Sequence, residues 1–277
     1  MMEIKRKYYD FAISDFDGTI FNSNQEVSKK TVETINNFTN NGGVFAVCTG
    51  RMTGSIVPML KKFGITKGFV ISYNGAEISK IETGEKIYKQ HIDTNSSVKL
   101  LKFAEKNSID LLVYPNDVIT VNKGNEYTLG YMKLNGTEGK ELGYNVSDYF
   151  KMNDLTTGKA LFLTRGNEDI ANKIMRELPL LVEDKLSFVR SNKYHIDVMK
   201  RDISKGETVK VFSKIVGKSL DRLICFGDEM NDESMIKVAS VGAVPSNGAQ
   251  ALKKIADIII DSCDNDGVRK AMEEFCI

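Results

Sequence analysis

The sequence predicts an α/β fold in which a wound parallel sheet is interrupted by an inserted α+β unit. Residues 1–84 alternate short apolar runs with helical patterns, and the last third of the chain returns to the same alternation. Residues 85–188 instead mix several β-type runs with two helical patterns. Because alternating strands and helices are typical of parallel sheets, we predict a core domain of residues 1–84 and 189–277 around an insertion at 85–188.

The elements of the first part of the chain can be predicted one by one. The apolar run at 44–48 has no polar face, which is typical of a central parallel strand. Ser28 is suited to cap a helix whose apolar residues share one face, and Asn41 with two following glycines would end that helix. The predicted elements are strands Phe11–Ile13, Val44–Cys48 and Phe69–Ile71 and helices Val27–Asn41 and Ile56–Phe63.

The insertion and the last third are read in the same way. Pro115, Asn116 and Asp117 stand between two β-type runs and indicate a hairpin-like turn. Residues 122–154 are polar and weakly periodic, so no element is predicted there. The remaining predictions are strands at 111–114, 118–121, 160–164, 223–226, 241–244 and 258–260 and helices at 98–106, 168–177, 207–216 and 232–239.

The composition argues against several classes of protein. Lys and Arg total 38 and Asp and Glu total 37, so the balance of charge gives no reason to expect nucleic acid or an acidic membrane as a partner. Four cysteines without paired spacing and two histidines disfavour a zinc site. No run approaches the roughly 20 apolar residues that span a bilayer, and the first ten residues lack a signal-peptide core. We therefore expect a cytoplasmic protein.

The first cluster of candidate functional residues follows the strand Phe11–Ile13. Asp15 and Asp17 are separated by one residue, so a tight turn can aim both carboxylates at one pocket, one as nucleophile and the other as proton donor. Gly18 lets the chain leave that turn. An ordinary acidic turn is the alternative. A calcium loop is disfavoured because Ile20 stands where that loop needs glycine, and because a strand precedes it.

The second cluster, Thr49-Gly50-Arg51, follows the strand Val44–Cys48. A hydroxyl and free backbone N–H groups at a strand end that leads into a helix suit a phosphate oxygen. Taken alone, the tripeptide fits a plain turn at least as well.

The third cluster follows the strand 223–226. Asp228 offers a hard oxygen to Mg²⁺, and Asn231 and Asp232 lie where they can hold a lysine or a metal-bound water. An acidic helix start is the alternative, since carboxylates favour helix N-termini. Lys205 is a further candidate, because an ammonium group suits a phosphate, but only its place in the order of motifs distinguishes it from the other lysines.

Four motifs in order resemble those of the haloacid dehalogenase superfamily, and most of all its Cof-like type IIB phosphatases. They read SDFDGTI, CTGR, SKGET and GDEMNDESM, and the resemblance extends to YNGA at 73–76 and to the tail at 256–258. It implies a Rossmann-like core sheet with ligands at the carboxyl ends of its strands, and an inserted α/β cap that closes over the site and selects the substrate.

The resemblance also implies roles for individual residues. Asp15 would attack phosphorus and form an aspartyl-phosphate, and Asp17 would protonate the leaving oxygen and then activate water. Mg²⁺ would be held by Asp15, Asp228 and the backbone carbonyl of Asp17. Asp232 would support these ligands without binding the ion itself. Phosphate or substrate binding would fall to Thr49, Gly50, Arg51, Asn74, Lys205 and Asn231.

The function implied is that of a magnesium-dependent phosphomonoester hydrolase of small phosphorylated metabolites, with sugar phosphates as the expected substrates. The second aspartate, Asp17, argues for hydrolysis over an ion pump, in which that position is not acidic. Two alternatives remain: a phosphomutase of the same fold, and a phospho-ligand binding protein without turnover. The retained set of Asp15, Asp17, Lys205 and Asp228 disfavours the second of these.

Overall fold

The computed structural model describes residues 8–121, 123–134, 137–190 and 192–276. These residues form two compact units. One runs to Tyr88 and resumes at Ser204, and the other is the segment Lys89–Ile203 between them.

The strands within the described residues are short. In chain order they are β1 (Phe11–Ser14), β2 (Val44–Cys48), β3 (Phe69–Ser72), β4 (Glu77–Lys80), β5 (Lys86–Lys89), β6 (Asp110–Val113), β7 (Thr120–Val121), β8 (Lys140–Glu141), β9 (Ala160–Leu163), β10 (Leu186–Arg190), β11 (His195–Lys200), β12 (Leu223–Phe226), β13 (Val241–Pro245) and β14 (Ile258–Ile260).

The helices separate these strands in both units. They are α1 (Lys29–Asn40), α2 (Thr53–Phe63), α3 (Thr94–Asn107), α4 (Glu126–Leu134), α5 (Val146–Met152), α6 (Glu168–Leu181), α7 (Lys205–Val216), α8 (Glu233–Val238), α9 (Gln250–Lys253) and α10 (Gly267–Phe275).

The first unit is built on one sheet with the order β14-β13-β12-β1-β2-β3-β4-β5. The pairs from β14 through to β3 are parallel, and β4 runs antiparallel to β3. Ser14, the last residue of β1, is level with Phe226 of β12 and Val47 of β2. The carboxyl ends of these three central strands therefore meet at the same edge of the sheet, where ligands bind in folds of this class.

Apolar side chains cover both faces of this sheet. One cluster includes Ile35 and Phe38 of α1 against Phe45 of β2, and the other includes Phe212 of α7 against Phe11 of β1. Burying a side chain of this size stabilises the fold by about 1.5–3 kcal/mol each. The sheet is consequently rigid, and it fixes the backbone wherever a strand ends.

The second unit contains a mixed sheet with the order β10-β11-β9-β6-β7-β8. Helices α3, α5 and α6 bury their apolar residues against β6, β9 and β11 in one core, which includes Leu100, Phe150, Phe162 and Ile174. Strands β6 and β7 are antiparallel on either side of Pro115–Asp117, as the predicted hairpin requires.

The predicted fold class is confirmed, but several elements differ from the sequence-based expectations. Residues 122–154, for which no element was predicted, contain α4, β8 and α5. The second unit ends at Ile203 rather than at residue 188, because β10 pairs with β11 and β11 pairs with β9. No helix within the described ranges is long and apolar enough to cross a membrane.

Gly206, the second residue of α7, provides a test of the close packing between α7 and α8. A Cβ atom there would overlap the backbone carbonyl of Ser234. We expect Gly206→Ala to lower the free energy of unfolding by about 1–3 kcal/mol, since packed backbone cannot move aside cheaply. Thermal unfolding followed by calorimetry measures this effect.

Gly130 in α4 is the matched control, because a Cβ atom there would have nothing within 4 Å. Gly130→Ala should instead stabilise its helix by about 0.5–1 kcal/mol, the usual gain from replacing an interior helix glycine. Equal melting temperatures for the two variants would contradict the packing argument.

Candidate active site

The edge where β1, β2 and β12 end brings the first and second motifs together. The backbone N–H of Asp15 donates to the carbonyl of Phe226 at 2.8 Å, and that of Thr49 donates to the carbonyl of Ile71 at 2.8 Å. Both segments thus continue the sheet pairing one residue past their strands. The side chains of Asp15 and Thr49 start from backbone positions that the sheet fixes.

Lys205 lies at the centre of this edge as a fully buried cation. Its Nζ contacts Oδ1 of Asp15 at 2.6 Å and Oδ1 of Asp232 at 2.5 Å. Burial alone would lower the pKa of Lys205, but the two carboxylates outweigh it and raise the pKa above its ordinary value. Lys205 therefore stays protonated, and the two aspartates are held on either side of it.

Asp232 also holds the loop that carries the third motif. Its second oxygen, Oδ2, accepts the backbone N–H groups of Asp228 at 3.0 Å and Glu229 at 3.1 Å. The side chain is completely buried. Both oxygens of Asp232 are thus engaged, and its carboxylate fixes Lys205 and the backbone of Asp228 at the same time.

Asp228 extends from this loop towards the first motif. Its Oδ1 accepts the hydroxyl of Thr19 at 2.9 Å, and its carbonyl accepts the N–H of Ala249 at 2.7 Å. Burial, with Asp232 nearby, raises the pKa of Asp228 to about 6. Burial likewise raises the pKa of Asp15 well above its ordinary range, and the Lys205 ammonium opposes this only in part. Three carboxylates thus surround one ammonium group, so the cluster contains more acidic groups than Lys205 alone can neutralise.

The donor set fits a divalent cation. Carboxylate oxygens of Asp15, Asp228 and Asp232 all lie within 4.8 Å of one another, and Lys205 is the cation in contact with two of them. Hard oxygen donors with excess negative charge suit Mg²⁺. Because Asp232 already uses both oxygens in hydrogen bonds, Asp15 and Asp228 are the better candidates for direct ligands. The carbonyl of Asp17 remains a predicted third ligand.

Asp17 differs from the other acidic residues of the site because its side chain is 49% exposed. Arg51 contacts both of its oxygens, from Nε at 2.8 Å and from Nη2 at 2.7 Å. The chain turns at Gly18, which follows Asp17 and has a φ of 74°, and a Cβ atom on Gly18 would overlap the Asp228 carboxylate. Arg51, which was predicted as a phosphate or substrate ligand, thus contacts Asp17 in the structure.

The remaining predicted binding residues form one group beside Thr49. The backbone N–H of Asn74 donates to the carbonyl of Thr49 at 2.9 Å, and Asn231 Nδ2 donates to Oδ1 of Asn74 at 3.3 Å. A Cβ atom on Gly50 would lie 3.1 Å from that same Oδ1. Glycine at this position therefore leaves room for the Asn74 side chain.

Two residues with a role in this geometry had no role in the sequence-based prediction. Thr19 binds Asp228, and Asn247 donates from Nδ2 to the carbonyl of Gly18 at 2.8 Å while its Oδ1 accepts the N–H of Cys263 at 2.9 Å. Thr19 could have been identified from the sequence because it belongs to the first motif. Asn247 follows β13 at the same sheet edge, so the rule that sites lie at strand ends would have found it.

Comparisons with known proteins identify the family of this chain. A family model described as haloacid dehalogenase-like hydrolase matches residues 12–272. A candidate phosphatase of Streptococcus pyogenes serotype M6 is 23% identical over 269 residues, covering 95% of this chain and 97% of that protein. A haloacid dehalogenase-like hydrolase from Bacteroides thetaiotaomicron has a TM-score of 0.85 and 28% identity, covering 96% of this chain and 98% of that one.

A further solved structure, the subclass IIB sugar phosphatase BT4131 of the same superfamily, has a TM-score of 0.75 at 20% identity and covers 95% of this chain and 97% of that one. The family match extends over both parts of the first unit and over the second unit between them. The chain thus belongs to the haloacid dehalogenase-like hydrolases and is a phosphatase of that family.

Proposed function

We propose that this phosphatase is a magnesium-dependent hydrolase of small phosphomonoesters, with sugar phosphates as its substrates, and that it acts through an aspartyl-phosphate at Asp15. The observation that carries the proposal is the buried contact of 2.6 Å between Lys205 and Asp15. A carboxylate is repelled by a phosphate dianion, so it can attack phosphorus only where positive charge is fixed beside it. Lys205 supplies that charge at the nucleophile.

In the first step a carboxylate oxygen of Asp15 forms a bond to phosphorus while the bond to the leaving oxygen breaks. Protonated Asp17 gives its proton to that oxygen, so an alcohol departs and Asp17 becomes a carboxylate. Lys205, the hydroxyl of Thr49 and Asn231 bind the phosphoryl oxygens. Asp232 does not react, and its hydrogen bonds keep Lys205 and the Asp228 loop in place.

In the second step the Asp17 carboxylate takes a proton from water, whose oxygen attacks the aspartyl-phosphate. The bond between phosphorus and Asp15 breaks, inorganic phosphate leaves, and Asp17 is protonated again for the next turnover. The exposure of Asp17 supports this role, because it is the acid of the site that water and the leaving group can reach.

Asp15 and Asp228, with the carbonyl of Asp17, are the groups proposed to hold Mg²⁺. When bound, the ion supplies charge neutralisation to the phosphate dianion and to the excess carboxylates of the site. Burial raises the pKa values of Asp15 and Asp228, and a cation bound to these carboxylates would favour their charged forms.

The substrate class rests on the inserted unit and on the likeness to a sugar phosphatase. The buried residues described above act on the phosphoryl group, which every phosphomonoester shares. Selection of the leaving group is therefore proposed for the second unit, Lys89–Ile203. The structural likeness to BT4131, whose description names it a sugar phosphatase, favours sugar phosphates within the class.

Asp15→Asn tests the nucleophile. An amide of the same shape keeps the packing but cannot form the aspartyl-phosphate, so phosphate release from a panel of sugar phosphates should fall roughly 1,000-fold or more. Release of inorganic phosphate at saturating Mg²⁺ is the measurement. Asp221→Asn, an exposed substitution with a local partner in Ser219, is the control and should retain activity. Substantial turnover by Asp15→Asn would exclude this mechanism.

Asp228→Asn tests the cation site. Removal of divalent ions by a chelator should abolish turnover of the wild type, and added Mg²⁺ should restore it. Asp228→Asn removes one ligand charge, so its half-maximal Mg²⁺ concentration should rise roughly 10-fold or more. Titration of activity against Mg²⁺ measures this rise. A chelator-resistant wild type, or an unchanged requirement in the variant, would contradict the assignment.

A further inference from the structure

Arg51 and Asp17 form a two-pronged ion pair at the rim of the buried cluster. Nε and Nη2 of Arg51 lie 2.8 and 2.7 Å from the two different oxygens of Asp17. A fork of this kind fixes the plane and the rotation of a carboxylate, whereas a single hydrogen bond leaves both adjustable.

The arginine is the anchored member of the pair. Its guanidinium carbon lies 5.6 Å from the centre of the Phe16 ring and 5.9 Å from that of Phe21, and these two rings stack with their centres 4.7 Å apart. The Arg51 side chain is 16% exposed, against 49% for Asp17. The exposed carboxylate is thus held by a guanidinium that the protein itself immobilises.

We infer that Arg51 is a positioning residue for proton transfer by Asp17, rather than a ligand of the phosphoryl group. This inference rests on the proposed function and assigns Arg51 a different role within it. A carboxylate has about four lone-pair sites on its two oxygens, and a bidentate arginine uses two of them. The remaining sites can carry the proton for the leaving oxygen while Arg51 keeps the group aimed.

Stability does not explain the pair. Ion pairs with a solvent-exposed member contribute little to the free energy of unfolding. The chain offers a comparison in Arg222, whose Nε lies 2.9 Å from one oxygen of Asp10 and whose guanidinium carbon lies 4.9 Å from the centre of the Tyr8 ring. Lys218 contacts the other oxygen of Asp10. Asp10 and Arg222 precede β1 and β12, at the end of these parallel strands opposite the site. Arg222→Ala therefore removes an arginine that pairs with an aspartate and lies near an aromatic ring, but at a place away from the reaction.

The experiment compares two substrates of similar shape, p-nitrophenyl phosphate and phenyl phosphate. Nitrophenolate is a weak base that departs without a proton, whereas phenolate is a stronger base whose departure benefits from one. The measured quantity is kcat/KM, because it reports the step in which the leaving group departs. In Arg51→Ala we expect kcat/KM to fall roughly 100-fold for phenyl phosphate and less than about 10-fold for p-nitrophenyl phosphate.

The residual activity on p-nitrophenyl phosphate shows that the variant is folded and that its nucleophile works. Arg222→Ala should give the same ratio between the two substrates as the wild type. In an Asp17→Asn background, adding Arg51→Ala should change kcat/KM for phenyl phosphate by less than about threefold, since a residue that acts through Asp17 has no effect once its carboxylate is absent.

An equal loss on both substrates, with full additivity to Asp17→Asn, would overturn the inference and identify Arg51 as a phosphate ligand, while leaving the proposed function intact. A wild type that releases phosphate from neither substrate in the presence of Mg²⁺ would overturn the proposed function and this inference with it.

Discussion

The contact of the Lys205 ammonium with Asp15 and Asp232 is the interaction on which the rest of the site depends. A fully buried charge costs several kcal/mol of desolvation unless it is paired and hydrogen-bonded. Lys205 also begins helix α7, where the positive end of the helix dipole disfavours a cation. Two carboxylates, from distant parts of the chain, offset both costs. The energy of this contact is therefore available only when β1, α7 and the loop after β12 have all assembled.

The same contact gives the carboxylates of the site different roles. Asp232 is saturated by Lys205 and by two backbone N–H groups, so it serves the geometry of the site. Only one oxygen of Asp15 takes part in the described contact with Lys205, and Oδ1 of Asp228 accepts a hydrogen bond from a hydroxyl group. Burial raises the pKa values of these two carboxylates. An excess of negative charge in a closed site is unfavourable in itself, and a divalent cation is the simplest way to remove it.

The sequence predicted those parts of the site that follow from a general rule about sheets. Asp15, Thr49 and Asp228 each follow a predicted apolar strand, and the strand ends do meet at one edge. Lys205 begins a helix, so nothing but the order of the motifs distinguished it. The partner of Arg51 was beyond prediction, because contact with Asp17 depends on side-chain rotamers and on two aromatic rings rather than on spacing. Helices α4 and α5 were missed because they are short and lie in a polar stretch without clear periodicity.

Burial separates the groups proposed to act on the phosphoryl group from the group proposed to act on the leaving oxygen. Asp15, Lys205 and Asp232 are buried and joined by short contacts, and the backbone N–H of buried Asp228 donates to Asp232. Asp17 is half-exposed and is held by Arg51 alone among the described ion pairs. An acid that must meet leaving groups of different shape cannot be enclosed in the same way. The orientation of its carboxyl group must therefore be fixed by a rigid neighbour, and a guanidinium packed on two aromatic rings is such a neighbour. On the proposed mechanism, selectivity for the leaving group would come from residues outside the buried cluster, and the same buried groups would serve substrates with different leaving groups.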